Sequence, residues 1–96
     1  MGTVDDLLSI TEELTQSLAA FAPGSPVAHV YRPLEYAAAV HEQYITRFGS
    51  GPKSYLLVGM NPGPWGMAQT GVPFGAVGSV RDWLRLDPVP IPRPSD

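Results

Sequence analysis

The side chains able to do chemistry in this 96-residue sequence gather in one stretch, Val58-Gly59-Met60-Asn61-Pro62-Gly63-Pro64-Trp65-Gly66-Met67-Ala68-Gln69-Thr70-Gly71-Val72-Pro73-Phe74-Gly75. Five glycines and three prolines surround one asparagine, Asn61, and one phenylalanine, Phe74. Gly permits backbone angles and close approaches that other residues forbid, and Pro freezes the residues between. The product is a rigid, shaped loop. It follows the apolar segment Tyr55-Leu56-Leu57-Val58, and α/β proteins place ligands at the ends of strands. Several chemistries are excluded. The loop lacks the Gly-Lys-Ser/Thr of a phosphate-binding loop, and Asn61 stands where a dinucleotide fingerprint needs its second Gly. There is no G-x-S-x-G elbow. His29 and His41 lie twelve residues apart with no acid or thiol cluster beside them, so neither reads as a metal ligand. His41 reads as a structural hydrogen-bonder.

From the residues alone, Asn61 before Pro62 is a turn former. Phe74 is a core or a pocket aromatic, and its place between Pro73 and Gly75, off any helical stripe, favours the pocket. Met60 and Met67 fit gap-filling in a core and pocket lining equally well. Trp65 and Trp83 read as packing residues.

The elements that must position this loop follow from periodicity. Val4, Leu7, Leu8, Leu14, Leu18 and Phe21 predict an amphipathic helix from Val4 to Ala22, with Thr3 as N-cap, Asp5 and Asp6 in the first turn, and Pro23-Gly24-Ser25-Pro26 as its end. A second helix is predicted from Pro33 to Phe48, stopping at Gly49 as a C′ residue. Ser54 to Gly59 predicts a strand buried on both faces of a parallel sheet. Val77 to Leu86 predicts a third helix with Val80, Trp83 and Leu84 on one face and Ser79 as cap. A Pro-alternating tail, residues 87–96, is expected to be extended. A lone strand cannot satisfy its backbone groups, so partner strands are expected from a longer protein or another chain.

The bulk properties bound the remaining classes. Hydrophobic residues make up 44% and charged residues 16%, a globular composition. There are no cysteines, which excludes disulfides and thiolate metal sites. Net charge is −3, which argues against strong non-specific binding to a polyanion. Up to Glu42 six acids face Arg32 alone, and from Arg47 onward five bases face three acids. No apolar run approaches the roughly 18 residues of a bilayer span, and the acidic N-terminus is unlike a secretory signal. No membrane partner is expected.

Gly59 to Gly75, followed by Val80-Arg81-Asp82-Trp83-Leu84, resembles the first active-site motif of the single-strand-selective monofunctional uracil-DNA glycosylases, of the uracil-DNA glycosylase superfamily. Val30-Tyr31, Pro33-Leu34-Glu35-Tyr36, His41, Tyr44 and Gly51-Pro52-Lys53 resemble that family in order and spacing. The likeness runs from about Pro26 to Leu84, with Trp65 where the family is expected to carry a Phe. It implies an α/β fold: part of a three-layer parallel-sheet domain, truncated after the first active-site motif. Residues 1–96 would be the N-terminal part of one domain: helix and turn (1–25), motif-bearing part (26–86) and Pro-rich tail (87–96). It implies excision of uracil, and of modified uracils, from DNA in base excision repair. The target base is flipped into a pocket, Asn61 positions the attacking water, Phe74 stacks on the base, and Met60, Gly63 and Met67 line the pocket. No metal or other cofactor is implied. The partner is uracil-containing DNA, single- or double-stranded. Location would be cytoplasmic for a bacterial-type protein or nuclear for a eukaryotic one, and not secreted. The family's second motif, a His-Pro-Ser-Pro segment whose His stabilises the departing base, and its uracil-reading Asn match no residue of this sequence. Little activity is therefore expected of these 96 residues alone, and the alternative reading is a non-catalytic fragment serving as an interaction module.

Overall fold

The computed structural model describes residues 2–86. In chain order it contains α1 (Thr3–Leu18), α2 (Pro33–Tyr36), α3 (Ala38–Phe48), α4 (Met67–Thr70) and a π-helical turn at Ser79–Trp83. The Pro-alternating tail lies outside the described residues.

α1 carries Asp5 and Asp6 in its first turn, where the helix dipole favours negative charge. Its N-cap is Gly2 rather than Thr3, no side chain caps it, and it ends at Leu18, short of the expected Ala22. The apolar stripe divides. Val4, Leu7 and Leu8 are half-buried, whereas Leu14, Leu18 and Phe21 stay exposed. The expected helix from Pro33 to Phe48 is two helices. Pro33 opens α2 at its first turn, but Ala37, at φ −109° and ψ 24°, interrupts the helix before α3. α3 buries Val40, His41 and Ile45. Its last cap, Gly49, is right-handed at φ −89°, not the left-handed C′ expected.

The parallel-sheet α/β expectation is overturned. The described residues contain no strand, and the molecule there is helical. Tyr55-Leu56-Leu57-Val58 has no regular structure and lies in solvent, with Tyr55 90% and Leu56 87% exposed. The physical reason is pairing. Apolar content alone does not make a strand, because its N–H and C=O groups need a neighbouring strand, and no described segment supplies one.

The core lies elsewhere. Val40 from α3 packs with Val72, Val80 and Leu86, and Tyr44, Val77 and Leu84 cover them in part. The segment after the glycine-rich loop is thus folded back onto α3. Arg47 of α3 helps hold it there, donating from its guanidinium to the Arg85 carbonyl at 2.7 Å. The third predicted helix is present mainly as the π-helical turn, capped at Gly78 without a side-chain bond from Ser79. The wider turn buries Val80 but leaves Trp83 81% exposed, so Trp83 is not a core residue. Trp65 is likewise exposed.

Leu86→Ala should lower unfolding free energy by about 2–5 kcal/mol, and Leu56→Ala should stay within about 0.5 kcal/mol of the parent. Urea unfolding of both variants checks this. Equal losses would place the Tyr55–Val58 run inside the core.

Candidate functional site

The glycine-rich loop is held from beneath by buried polar groups. The His41 side chain on α3 reaches the Gly71 carbonyl from Nδ1 at 2.8 Å and the Thr11 hydroxyl from Nε2 at 3.2 Å. A carbonyl only accepts, so Nδ1 carries a hydrogen. His41 is the structural hydrogen-bonder its sequence context predicts, fastening α1, α3 and the loop together. Gly71 ends α4 with a left-handed backbone, φ 72°, and a Cβ there would lie 3.0 Å from the Ala37 Cβ and 3.1 Å from its carbonyl oxygen. Both the turn and the approach to α3 therefore call for glycine.

Thr70 is fully buried and organises the next turn. Its hydroxyl donates to the Gly75 carbonyl at 2.8 Å and accepts from the Val72 N–H at 3.0 Å. The Tyr36 hydroxyl of α2 donates to the Ala68 carbonyl of α4. Gln69 Nε2 donates to the Pro64 carbonyl at 2.9 Å, tying α4 to the loop that precedes it. Among the described residues no buried side-chain polar atom lacks a partner. None of Thr70, Gln69 and Tyr36 stood out as a site residue in the sequence. For Thr70 a signal existed: a Thr directly before a turn glycine often takes the N–H two residues on.

Above this base lies an open cleft of about 660 Å³ lined by residues from Gly59 to Ala76. All five predicted site residues, Met60, Asn61, Gly63, Met67 and Phe74, line it. Phe74 has a left-handed backbone, φ 59°, and is 69% exposed. Its ring lies over Gly59, where a Cβ would stand 3.3 Å from the ring edge. A phenylalanine at positive φ is strained, and such strain clusters at ligand sites. The Asn61 amide donates to the Pro62 carbonyl at 3.2 Å, which leaves its side-chain oxygen facing no described partner. The Gly63 carbonyl accepts from Gly66 and Ala68 N–H groups at 3.2 and 3.0 Å. Among the described residues no group of three or more His, Cys, Asp or Glu side chains comes together as a metal site, and no helix is long and apolar enough to cross a membrane.

The sequence of this chain has close counterparts. A protein of Rattus norvegicus named single-strand selective monofunctional uracil-DNA glycosylase is 48% identical over 85 residues, 88% of this chain and 29% of that protein. The like-named protein of Mus musculus is 49% identical over 83 residues, 86% of this chain and 28% of its own length. That of Bos taurus is 51% identical over 85 residues, 88% and 30%. Over this stretch the chain is similar to single-strand selective monofunctional uracil-DNA glycosylases. It spans less than a third of the length of these relatives. No family model matches it.

The brace under the cleft has a titratable member. Burial, and to a smaller degree the nearby Tyr31, raises the Tyr36 phenol above its ordinary value of 10.0. The folded state therefore retains this proton at a pH where the unfolded chain has lost it. The stabilisation is fully present below pH 10 and falls as pH rises through the raised folded value. Tyr36→Phe should cost about 0.5–1.5 kcal/mol at neutral pH. In urea unfolding followed from pH 7 to 11, the gap between parent and variant should shrink at the alkaline end. A gap that stays constant would contradict the role of the hydroxyl.

Proposed function

We propose that this chain is the base-holding and water-positioning part of an enzyme that removes uracil, and modified uracils, from DNA. The observation that carries the reading is the gathering of Met60, Asn61, Gly63, Met67 and Phe74 around one cleft. The mammalian relatives named for action on uracil-DNA support the substrate class. Such a substrate would place the protein with DNA, and the mammalian relatives lend no support to a bacterial-type cytoplasmic placement.

The chemistry asks little of the protein beyond placement. A base buried inside a duplex is out of reach, so it must be turned out of the stack or met on a single strand. In the cleft Phe74 would offer a ring face to the base. Base–aromatic stacking contributes about 1–3 kcal/mol and needs no particular sequence. Met60, Met67 and the backbone at Gly63 would close around the edges. The N-glycosidic bond then breaks with its electron pair leaving on the base, and the sugar becomes an oxocarbenium-like cation. A water oxygen bonds to the anomeric carbon and releases a proton that balances the departing base. An amide is no general base, but the free Asn61 oxygen can accept a hydrogen bond from that water and hold it in line. No metal or organic cofactor enters these steps.

Charge developing on the leaving base must also be stabilised. The family resemblance assigns that role to a His in a second motif that matches no residue here. Removing an oxyanion donor typically costs about 10²–10³ in rate, so these 96 residues are expected to bind uracil-containing strands and turn them over slowly.

A single-stranded oligonucleotide with one uracil, treated with protein and then alkali, tests the reading. Asn61→Ala should reduce strand breakage about 10²-fold with little change in binding, while Phe74→Ala should weaken binding about 5- to 150-fold. Absence of both binding and breakage in the parent chain would reject the reading and favour an interaction module.

A further inference from the structure

A second depression adjoins the cleft. It measures about 360 Å³ and runs between the end of α1 and the chain entering α2. Leu14, Leu18, Phe21, Val30, Tyr31 and Leu34 make it almost wholly apolar. Pro62 and Met67 line both the groove and the cleft, so the two are separated by a single wall of side chains. Phe21 and Tyr31 are half exposed, and the edge of His29 supports the Tyr31 ring, the centroids 4.4 Å apart at 62°. Arg32 sits at the rim, its guanidinium donating to the Phe21 carbonyl at 3.0 Å and pairing with Glu35 at 3.4 Å.

We infer that this groove seats the nucleobase next to the target on a single strand. The inference rests on the reading of the cleft given above. Three features select this occupant. First, the groove begins at the Pro62–Met67 wall of the cleft, so a strand leaving the cleft on that side brings the neighbour of the target base to it. Second, the lining suits a flat aromatic body. A base can bury its faces against Tyr31 and Phe21 while its polar edge stays in water. A peptide segment would bring backbone N–H and C=O groups into a lining with scarcely any polar partner. Third, Arg32 at the rim is held by the partly exposed Glu35 carboxylate and the Phe21 carbonyl, and the phosphate joining the two nucleotides would take the place of Glu35 on its guanidinium. With so few donors and acceptors in the lining, the seat would accept any of the four bases.

Trinucleotides carrying a central 2′-fluorinated deoxyuridine, which resists cleavage, provide the test by titration calorimetry. The neighbours are either both abasic or restored to thymine one side at a time. Restoring one neighbour should tighten binding to the parent chain about 5- to 150-fold. Tyr31→Ser should remove that gain and leave binding of the doubly abasic ligand unchanged, which also certifies the variant's fold. A gain of equal size in Tyr31→Ser, or no gain from either neighbour, would overturn the groove assignment while the uracil cleft stands. Failure of every trinucleotide to bind would overturn both. Self-association of the parent that Tyr31→Ser abolishes would show a second copy in the groove instead, and likewise overturn the assignment.

Discussion

The buried imidazole of His41 joins three parts of the chain that are far apart in sequence: Thr11 on α1, its own helix α3, and the Gly71 carbonyl at the end of α4. A buried carbonyl left unpaired costs about 1–3 kcal/mol, so the Gly71 turn has one well-satisfied position and few alternatives. Everything on the cleft side follows from that anchor. Gly71 sits against Ala37, Val72 enters the core beside Val40, and the Thr70 hydroxyl closes the turn to Gly75. Phe74 stands between those fixed points. The strained backbone of Phe74 is sustained by neighbours that over-determine it.

The division of labour between helices and loop is then plain. α2 and α3 meet the loop from below with hydroxyl and imidazole donors, and α4 is a single turn clamped between them. The second half of the loop is held in place because the Ala68, Gly71 and Gly75 carbonyl oxygens are engaged. Its upper surface remains open, with Met60, Trp65 and Phe74 in solvent. Rigid backbone under exposed apolar and aromatic side chains is an arrangement suited to binding a flat ligand, since little has to be ordered when the ligand arrives.

The sequence made the site more legible than the fold. The loop announced itself because Gly and Pro fix conformation locally, so residues close in sequence stay close in space. Met60, Asn61, Gly63, Met67 and Phe74 therefore share a cleft without any long-range contact being needed to bring them together. His41 was readable for a related reason: a lone His inside a helix with no ligand cluster is a hydrogen-bonder. The Ser54–Gly59 strand failed because its apolar pattern states what the segment would bury, not what it can pair with. Strand formation is a property of two segments, and among the described residues no second segment pairs with this one. Trp83 failed because a π-helical turn advances its residues by a smaller angle than the α spacing assumed. The break at Ala37 and the brace from Tyr36 were unreadable because both depend on the loop that packs against them thirty residues later.

The claim at the centre of this account is that the loop, as held by His41 and Thr70, forms a seat for a uracil base. Titration of the ¹⁵N-labelled chain with 2′-deoxyuridine, followed amide by amide in NMR spectra, tests it most directly. The account predicts saturable shifts at Asn61, Gly63, Met67 and Phe74, and still spectra at the α3 face bearing Glu42 and Thr46. Shifts confined to residues away from the loop, or none at concentrations that saturate nucleoside sites, would contradict it.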